Sequence, residues 1–340
     1  MARKTKMNKI TSPELLLRVN PKNTELLNDF VDYLRSVQRS EQTIKGYVSD
    51  IQIAWVWSLK HNDNLFFVDW SKRQIVRYQN WLLYTNNNSP ARVRRLKASL
   101  SSLANYVENI CEDEYPDFRN IINKIESPKN TPVRDKTVWD DAELDALLEK
   151  LVLLGKNEHA CYLALGRYSG RRKAELCRFR VSDFDDSHLV CDGALYKSSP
   201  IKTKGTGGGK MIECYTLAKK FKPYFDLWMK TRADKGIESE WLFPHPNDPT
   251  AHIEISMANS WARTFDQLTD KPFYTHSLRH RFTTALSEAG IPDGVIQIIV
   301  NWESGDMVRL YCDTAADDQI AKFFKDGDIV TPKQKGFDEL

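Results

Sequence analysis

Four consecutive amphipathic segments over residues 23–108 constrain the fold of this 340-residue chain more than any other feature. Their apolar residues recur every three or four positions, which is the period of a helix, and no strand-like stretch separates them. Ser40, Ser71 and Ser89 stand where a side-chain oxygen commonly caps a helix, and Pro90 suits a first helical position. The pattern predicts a small all-α domain.

The fourth segment, "SPARVRRLKASLSSLANYVEN" (89–109), has an apolar stripe and a basic face. The stripe consists of Val93, Leu96, Leu100, Leu103 and Val107. The basic face contains Arg92, Arg94, Arg95 and Lys97. Such a face is more often simply solvated, but it also suits a helix that neutralises DNA phosphates. The segment alone leaves both interpretations open.

Beyond this domain, residues 115–137 carry three prolines and lose clear periodicity after Ile125, so we interpret them as a linker. Asp140 and Glu143 then form a capping box that opens a helix. Further helical runs follow, with a strand-and-turn zone at 187–217 between them. The pattern predicts a second, mainly α domain with a small antiparallel sheet.

Composition excludes several classes of protein. No apolar run reaches the roughly 18 residues of a membrane span, and no apolar stretch follows the basic N-terminus as in a signal peptide. The six cysteines form no CxxC pair, so a reducing, cytoplasmic setting is the simplest interpretation. Residues 1–130 hold 20 Lys and Arg against 14 Asp and Glu, which is compatible with a polyanionic partner.

A glycine-rich stretch, "GTGGGK" (205–210), imitates a phosphate-binding P-loop. The motif fails because Lys204 stands where its first glycine belongs and Met211 where its Ser or Thr belongs. We interpret the stretch as a glycine-rich turn.

A second ambiguous stretch is "THSLRHRF" (275–282). His276 and His280 share a helix face, as a zinc pair would, but Ser277 replaces the glutamate of the zinc-protease motif. His276 and Arg279 also share a face, and together they suit a clamp on a phosphate. We rank the phosphate clamp above the metal pair.

Residue types suited to phosphodiester chemistry follow one another through the second domain. They are Arg172, Glu175, Lys202, His276, Arg279, Trp302 and Tyr311. Singly, each has an ordinary explanation: an internal ion pair of a buried Arg172, a hairpin lysine, a tyrosine of the core. Their order and intervals carry more information than any one of them.

As a set, they resemble the catalytic residues of the tyrosine site-specific DNA recombinases, the lambda-integrase-like or phage integrase family that includes Xer and Cre. The stretch from Ser169 to Glu175 is close to the family's T-G-x-R-x-x-E, whose spacing selects Arg172 rather than its neighbour Arg171. Lys202 matches the lysine of the family's β-hairpin.

The remaining boxes of the family follow in the same order. His276 and Arg279 match H-x-x-R. Trp302 stands where most members carry histidine and Cre carries tryptophan, within Val300-Asn301-Trp302 instead of L-G-H. Tyr311 follows nine residues later, as the nucleophile does in the family.

The resemblance implies a chemical role for each residue. Tyr311 would attack the phosphorus and form a 3′-phosphotyrosyl intermediate, while Lys202 protonates the departing 5′-oxygen. Arg172 and Arg279 would stabilise charge on the phosphate oxygens, for which the planar guanidinium fork is suited. The other three would assist: His276 by bonding the phosphate, Trp302 by packing and one N–H, and Glu175 by orienting basic groups. No metal, ATP or other cofactor is required.

It also implies an organisation and partners. We predict a flexible basic tail (1–23), a helical core DNA-binding domain (24–114), the linker (115–137) and a catalytic domain (138–315). Residues 316–340 would form a C-terminal helix and tail that docks on a neighbouring protomer, within a tetramer on two DNA sites. The DNA contacts predicted in the first domain are Lys45, Arg92, Arg94, Arg95 and Lys97. A bacterial, phage or mobile-element origin fits this set.

Two other functions remain open on the sequence. A type IB topoisomerase or telomere resolvase shares this catalytic set and would relax supercoils without exchange between sites. A DNA-binding protein that has lost catalysis could keep the fold, although the intact tyrosine, lysine and arginines argue against it.

Overall fold

The computed structural model describes residues 10–129, 139–203, 209–302, 324–325 and 328–329. The described residues up to 129 form one compact unit, and those from 139 onward form a second. No helix among the described residues is long and apolar enough to cross a membrane.

The first unit is entirely helical where it is described. Its α-helices are α1 (Pro13–Leu16), α2 (Pro21–Ser36), α3 (Glu41–His61), α4 (Lys72–Asn80) and α5 (Pro90–Ile110). A π-helical turn (Trp81–Thr85) extends α4, and short 3-10 turns lie at Phe67–Asp69 and Ile122–Lys124. This arrangement confirms the predicted all-α domain.

The predicted helix starts are confirmed by their hydrogen bonds. Ser40 Oγ accepts from the backbone N–H of Thr43, and Ser89 Oγ accepts from that of Arg92. The predicted stripe of α5 is also confirmed, because Val93, Leu96, Leu100, Leu103 and Val107 are all buried in the first core. Two neighbouring stretches depart from the prediction: Val19 of the supposed tail is buried, and Tyr115 and Ile122 of the supposed linker pack on the same core.

In the second unit the other elements pack around helix α7, which is buried. Its α-helices are α6 (Asp141–Leu153), α7 (Asn157–Ser169), α8 (Lys173–Leu176), α9 (Ala218–Asp234), α10 (Ile255–Leu268), α11 (Thr275–Glu288) and α12 (Asp293–Val300). Short 3-10 turns lie at Val181–Phe184 and Asp186–His188. Every residue of α7 from Ala160 onward is buried.

The strands of this unit are short and antiparallel. They are β1 (Leu189–Val190), β2 (Leu195–Lys197), β3 (Ile201–Lys202), β4 (Met211–Ile212), β5 (Tyr215–Leu217), β6 (Pro244–His245) and β7 (Asp248–His252), with β8 (Phe324–Lys325) and β9 (Asp328–Ile329) near the C-terminus. β1, β2 and β5 form a three-stranded sheet, while β3–β4, β6–β7 and β8–β9 form pairs. The predicted mainly α fold with small antiparallel sheets is confirmed.

The C-terminal prediction concerns residues that lie mostly outside the described ranges. Tyr311 and most of the helix predicted from "ADDQIAKFF" (316–324) are among them. Phe324 is described, and it lies in β8 instead of a helix, because it pairs with Ile329 of β9.

Candidate active site

The site begins where α7 ends at Gly170. This glycine has a φ of +60°, in the left-handed region where the missing Cβ removes the steric cost, and so it stops the helix. The chain then turns before α8 starts at Lys173. The helical run in this part of the chain is therefore broken, and Arg171 and Arg172 lie in the break, outside either helix.

Arg172 and Glu175 form the first contact of the site. Glu175 Oε2 accepts from the backbone N–H of Arg172 at 2.9 Å, and Oε1 accepts from the guanidinium Nη1 at 3.2 Å. Glu175 is buried, whereas the Arg172 side chain is 46% exposed. The expectation of a buried Arg172 is wrong, because the turn after Gly170 directs its side chain towards solvent. The buried carboxylate fixes one edge of the guanidinium.

The buried arginine is its neighbour Arg171, which the sequence analysis set aside. Its side chain is 1% exposed. Nε donates to the Ser169 carbonyl at 3.2 Å, and Nη2 donates to the Ile299 carbonyl at the end of α12. In the described part of the chain Arg171 forms no ion pair, so its positive charge is held by neutral acceptors.

Arg279 joins three pieces of the second unit. Its side chain is 1% exposed and projects from α11. Nη1 donates to the Gly170 carbonyl at 3.0 Å, and Nη2 donates to the Val300 carbonyl at 2.6 Å. The guanidinium carbon also lies 5.0 Å from the ring centroid of Trp302. Arg279 is thus oriented by the ends of α7 and α12 together.

Trp302 is held at the end of α12 by a left-handed residue. Asn301 has a φ of +53°, which turns the chain, and the backbone N–H of Trp302 returns to the Gln297 carbonyl at 3.0 Å. The buried indole then packs against the Arg279 guanidinium. The structure therefore brings Trp302 and Arg279 together.

His276 lies one helical turn before Arg279 on α11. Partial burial of its ring, followed by the positive charges of His280, Arg279 and Arg172, lowers the pKa of His276 to about 4. These three side chains are therefore its electrostatic neighbours. At neutral pH the imidazole is uncharged and can both accept and donate a hydrogen bond.

His280 does not complete a metal site in the described ranges. The rings of His276 and His280 stand nearly perpendicular, with centroids 5.3 Å apart. Within those ranges no three His, Cys, Asp or Glu side chains gather so that they could hold a metal ion.

Lys202 occupies the end of β3, as the predicted hairpin requires. Lys202 pairs with Met211 across the β3–β4 hairpin, and its side chain is exposed. Arg178 Nη1 donates to the Lys202 carbonyl, which ties the hairpin to the chain just after α8. The turn of the hairpin at 204–208 lies outside the described residues.

A network of charges on the other side of α11 has no counterpart in the sequence prediction. Arg281 donates from Nε and Nη2 to the two oxygens of Asp141, at 3.1 and 2.6 Å. Arg167 of α7 donates to Asp141 and to Asp145 of α6. Arg167, which follows the apolar run Ala160–Leu165 of α7, was the available signal. The network joins α6, α7 and α11.

The basic face of α5 in the first unit is organised around Asp50, which the sequence analysis did not single out. Arg92 Nη1 lies 2.8 Å from Asp50 Oδ1, and Arg95 Nε lies 3.0 Å from Oδ2. Ser99 Oγ also donates to Oδ2 at 3.0 Å. Asp50 is 2% exposed, so both arginines are engaged by a buried carboxylate.

Lys97, predicted to contact DNA, is buried, with an exposed fraction of 3%. Its ammonium donates to the carbonyls of Ile125 and Glu126 at 3.0 and 3.2 Å, and burial followed by the charge of Arg94 lowers its pKa. The predicted exposed position of Lys97 is wrong, because the stretch predicted as linker folds back over it. Arg94 itself donates to the Pro128 carbonyl at 3.3 Å. Lys45 on α3 is exposed, as a phosphate contact requires.

Comparisons with known proteins identify the family of this chain. A model of the Phage integrase family matches residues 138–318. The recombinase-like protein YomM of the SPbeta prophage in Bacillus subtilis (strain 168) is 31% identical over 267 residues, 74% of each chain. A tyrosine recombinase of Pseudothermotoga lettingae is 27% identical over 314 residues, 89% of this chain and 99% of that one.

Solved structures show the same fold at low identity. XerH recombinase bound to its palindromic difH substrate is 16% identical with a TM-score of 0.62, covering 90% of this chain and 89% of that one. A lambda integrase dimer bound to a COC′ core site is 16% identical with a TM-score of 0.60, covering 89% and 81%.

Proposed function

Because the chain belongs to the phage integrase family of tyrosine recombinases, enzymes that break and rejoin DNA strands, we propose that it recombines DNA at specific sites through a 3′-phosphotyrosyl intermediate. Tyr311 is the proposed nucleophile, and the reaction uses neither metal nor ATP. Integration, excision and resolution of a mobile element are all served by this chemistry.

The observation that supports the proposal most is the placement of Arg279. Its guanidinium is oriented by the carbonyls of Gly170 and Val300, and its charge and that of Arg172 both act on His276. Preorganised guanidinium groups of this kind stabilise the negative charge that develops on phosphate oxygens. Carbonyl acceptors orient a guanidinium without cancelling its charge, so the bonds to Gly170 and Val300 preserve its capacity to stabilise an anion.

In the proposed step the phenol oxygen of Tyr311 forms a bond to phosphorus, and the bond from phosphorus to the 5′-oxygen breaks. His276, uncharged in the DNA-free protein because its pKa is about 4, accepts the phenol proton after the bound phosphate has raised that pKa. Lys202 supplies a proton to the departing 5′-oxygen. The phosphotyrosyl bond conserves the energy of the diester, so a 5′-hydroxyl of another strand reverses the step without ATP.

The proposed partner is double-stranded DNA, held as the solved relatives bound to their substrates hold theirs. In the first unit, Lys45 and the exposed parts of Arg92, Arg94 and Arg95 are the proposed phosphate contacts, and Lys97 is removed from that set by its burial. We further propose a homotetramer on two DNA sites, with residues 316–340 docking on a neighbouring protomer.

Covalent trapping tests the proposal. The purified protein is mixed with fragments of its host genome, denatured, and the DNA still attached to protein is sequenced. The wild-type chain should capture fragments around one site, and Tyr311→Phe should capture none while retaining DNA binding. Tyr274→Phe is the matched control, because Tyr274 is exposed beside His276. Capture by the Tyr311 variant would contradict the assigned nucleophile, and supercoil relaxation without exchange would indicate a topoisomerase.

The role of Lys202 has its own test on the site so identified. Lys202→Ala should slow cleavage by roughly two to four orders of magnitude, the range for a positioned general acid. A substrate with sulfur as the 5′-bridging atom needs little protonation, so it should recover most of the rate. Arg172 and Arg279 variants should not recover to the same degree, because their charge acts on the non-bridging oxygens. Lys210→Ala is the control within the same hairpin, and rescue of Lys210→Ala instead would reassign the acid.

A further inference from the structure

Gly166 inside α7 and Gly170 at its C-terminal end face Leu278 and Phe282, two large side chains of α11. Gly166 and Gly170 are four residues apart, as are Leu278 and Phe282. A Cβ on Gly166 would lie 2.6 Å from Leu278 Cδ1, and one on Gly170 would lie 3.0 Å from Phe282 Cγ. The first separation is shorter than Cβ atoms show and the second is at the tight end of what they show, while Leu176 Cδ1 would lie 3.3 Å from the Cβ of Gly166. A Cβ on either glycine would therefore force a neighbouring side chain or helix to shift in a close-packed region.

This close contact is adjacent in the chain to Arg172 and Arg279, the two arginines proposed to hold the phosphate. Leu278 precedes Arg279, whose Nη1 reaches the Gly170 carbonyl at 3.0 Å. Gly170 in turn precedes Arg172 by two residues. The distance between α7 and α11 therefore determines where the two arginines stand relative to one another.

Gly166 and Gly170 are glycines for different reasons. Gly170 needs its left-handed backbone to end α7, whatever its neighbours are. Gly166 lies inside α7 with no such need, and in a helix interior alanine is the better residue. A conformational reason for glycine is thus absent at this position, and the contact with Leu278 is the reason that the structure offers.

We propose that Gly166 is a positioning residue: its missing side chain sets the spacing of α7 and α11, and thereby the relative placement of Arg172 and Arg279. The inference rests on the proposed function, because it assigns those arginines to the phosphate. Misplacement of about 1 Å can cost a hundredfold in rate at an active site.

The test compares four variants with the wild type by single-turnover cleavage at saturating DNA. Gly166→Ala should slow covalent attachment about a hundredfold, with DNA affinity little changed. Gly294→Ala is the matched control, because Gly294 lies in α12 with open space where a Cβ would be. Leu278→Ala removes the atom that meets the new methyl group. The double variant Gly166→Ala/Leu278→Ala should cleave at least about tenfold faster than Gly166→Ala alone, as coupled neighbours do.

A second substrate distinguishes misplaced arginines from a general loss of folding in Gly166→Ala. With a neutral methylphosphonate at the scissile position there is less charge for the arginines to stabilise, so the deficit of Gly166→Ala should shrink. A misfolded variant would show the same deficit on both substrates. Thermal unfolding followed by circular dichroism identifies the temperature at which all variants are folded, and the rates are compared there.

Two kinetic results would overturn the inference: a wild-type rate for Gly166→Ala, or a double variant whose loss is the product of the two single losses. Crystal structures supply a readout independent of activity, since α11 should move away from α7 in Gly166→Ala and return in the double variant. An unmoved α11 would also overturn it. Failure of the proposed function is distinguished by the wild type, which would then form no covalent complex that depends on Tyr311.

Discussion

The two units of the protein each hold a cluster of arginines, and the clusters differ in what accepts their hydrogen bonds. In the first unit Arg92 and Arg95 meet the two oxygens of a single buried carboxylate, Asp50. In the second unit Arg171 and Arg279 donate to backbone carbonyls at the ends of α7 and α12. A carboxylate cancels charge while it orients a guanidinium, whereas a carbonyl only orients it.

On the proposed function, that difference would separate Arg92 and Arg95, which hold two helices together and contact phosphate only with their exposed parts, from Arg279, whose bonds leave its charge to an anion. A buried carboxylate with two arginine partners is already neutralised, and its contacts hold α3 and α5 together. A guanidinium fixed by carbonyls keeps its field for a ligand in a region of low dielectric. Residue type alone does not distinguish the two uses, because both clusters are built from the same side chain.

The largest effect, on the rate of cleavage, is expected at Arg279, whose guanidinium donates to backbone carbonyls. Arg279→Lys keeps the charge but loses the planar fork, so cleavage should fall by roughly 10²- to 10³-fold, the loss seen when a preorganised donor is removed. DNA affinity, measured by fluorescence anisotropy, should change little. Arg281→Lys on the same helix is the control, because its partners are the carboxylates of Asp141 and Glu288. Equal losses in the two variants would mean that α11 itself is disturbed.

A gain in DNA binding, instead of a loss of cleavage, is expected in the first unit, where the Asp50 carboxylate accepts from the arginines. Asp50→Asn removes the negative charge from a buried group that accepts from Arg92, Arg95 and Ser99. Stability in urea should fall by about 1–3 kcal/mol, since charge-assisted hydrogen bonds weaken. The arginines released should bind phosphate more strongly, so the salt dependence of DNA binding should become steeper by about one unit. An unchanged slope would show that this face does not contact DNA.

A smaller effect distinguishes the two lysines of the first unit. Lys45→Ala should lower the salt slope of DNA binding by about one unit, as the loss of one phosphate contact does. Lys97→Ala should leave the slope unchanged and instead lower stability, because the carbonyls of Ile125 and Glu126 lose their donor. Titrations at several salt concentrations and urea unfolding decide between them. A reduced slope for Lys97→Ala would return that residue to the DNA interface.

The smallest effect is a pH dependence at His276. Its pKa is lowered from 6.5 to about 4 in the DNA-free protein, so the unfolded chain binds the proton first as pH falls. The contribution of His276 to stability is therefore present above pH 6.5 and is lost as pH falls towards 4. A DNA phosphate should raise this pKa, so binding should take up a proton in the same window. Calorimetry in buffers of different ionisation enthalpy measures that uptake, and His276→Gln should abolish it. Uptake that persists in the variant would assign it to another group.

Prediction from the sequence was most successful where the information is local. Ser40 and Ser89 cap helices because a cap depends on residues three positions apart, and the stripe of α5 is buried because a helix repeats every 3.6 residues. The family was identified by boxes of a few residues each, and the comparisons confirm it. The assigned roles of Tyr311, Lys202 and the arginines remain predictions.

It failed where a residue's surroundings come from distant parts of the chain. Arg171 and Arg172 are neighbours in sequence, yet one is buried and the other half exposed, because Gly170 reverses the direction of the chain between α7 and α8. Lys97 looked exposed because its helix has a basic face, but residues 125–126 return to cover it. The boundary at residue 114 was drawn at the start of the proline-containing stretch, and apolar packing on the first core continues to Ile125, where the periodicity also ends.

The sequence by itself determined which chemical groups the protein has, which helices present them and which family they belong to. These properties depend on residues within one or two helical turns of one another. The tertiary structure alone decided whether an arginine of these clusters meets a buried carboxylate or a backbone carbonyl. Asp50 is 42 residues from Arg92, and Gly170 is 109 residues from Arg279. Desolvation and hydrogen bonding depend on neighbours in space, and only the folded chain brings such partners together.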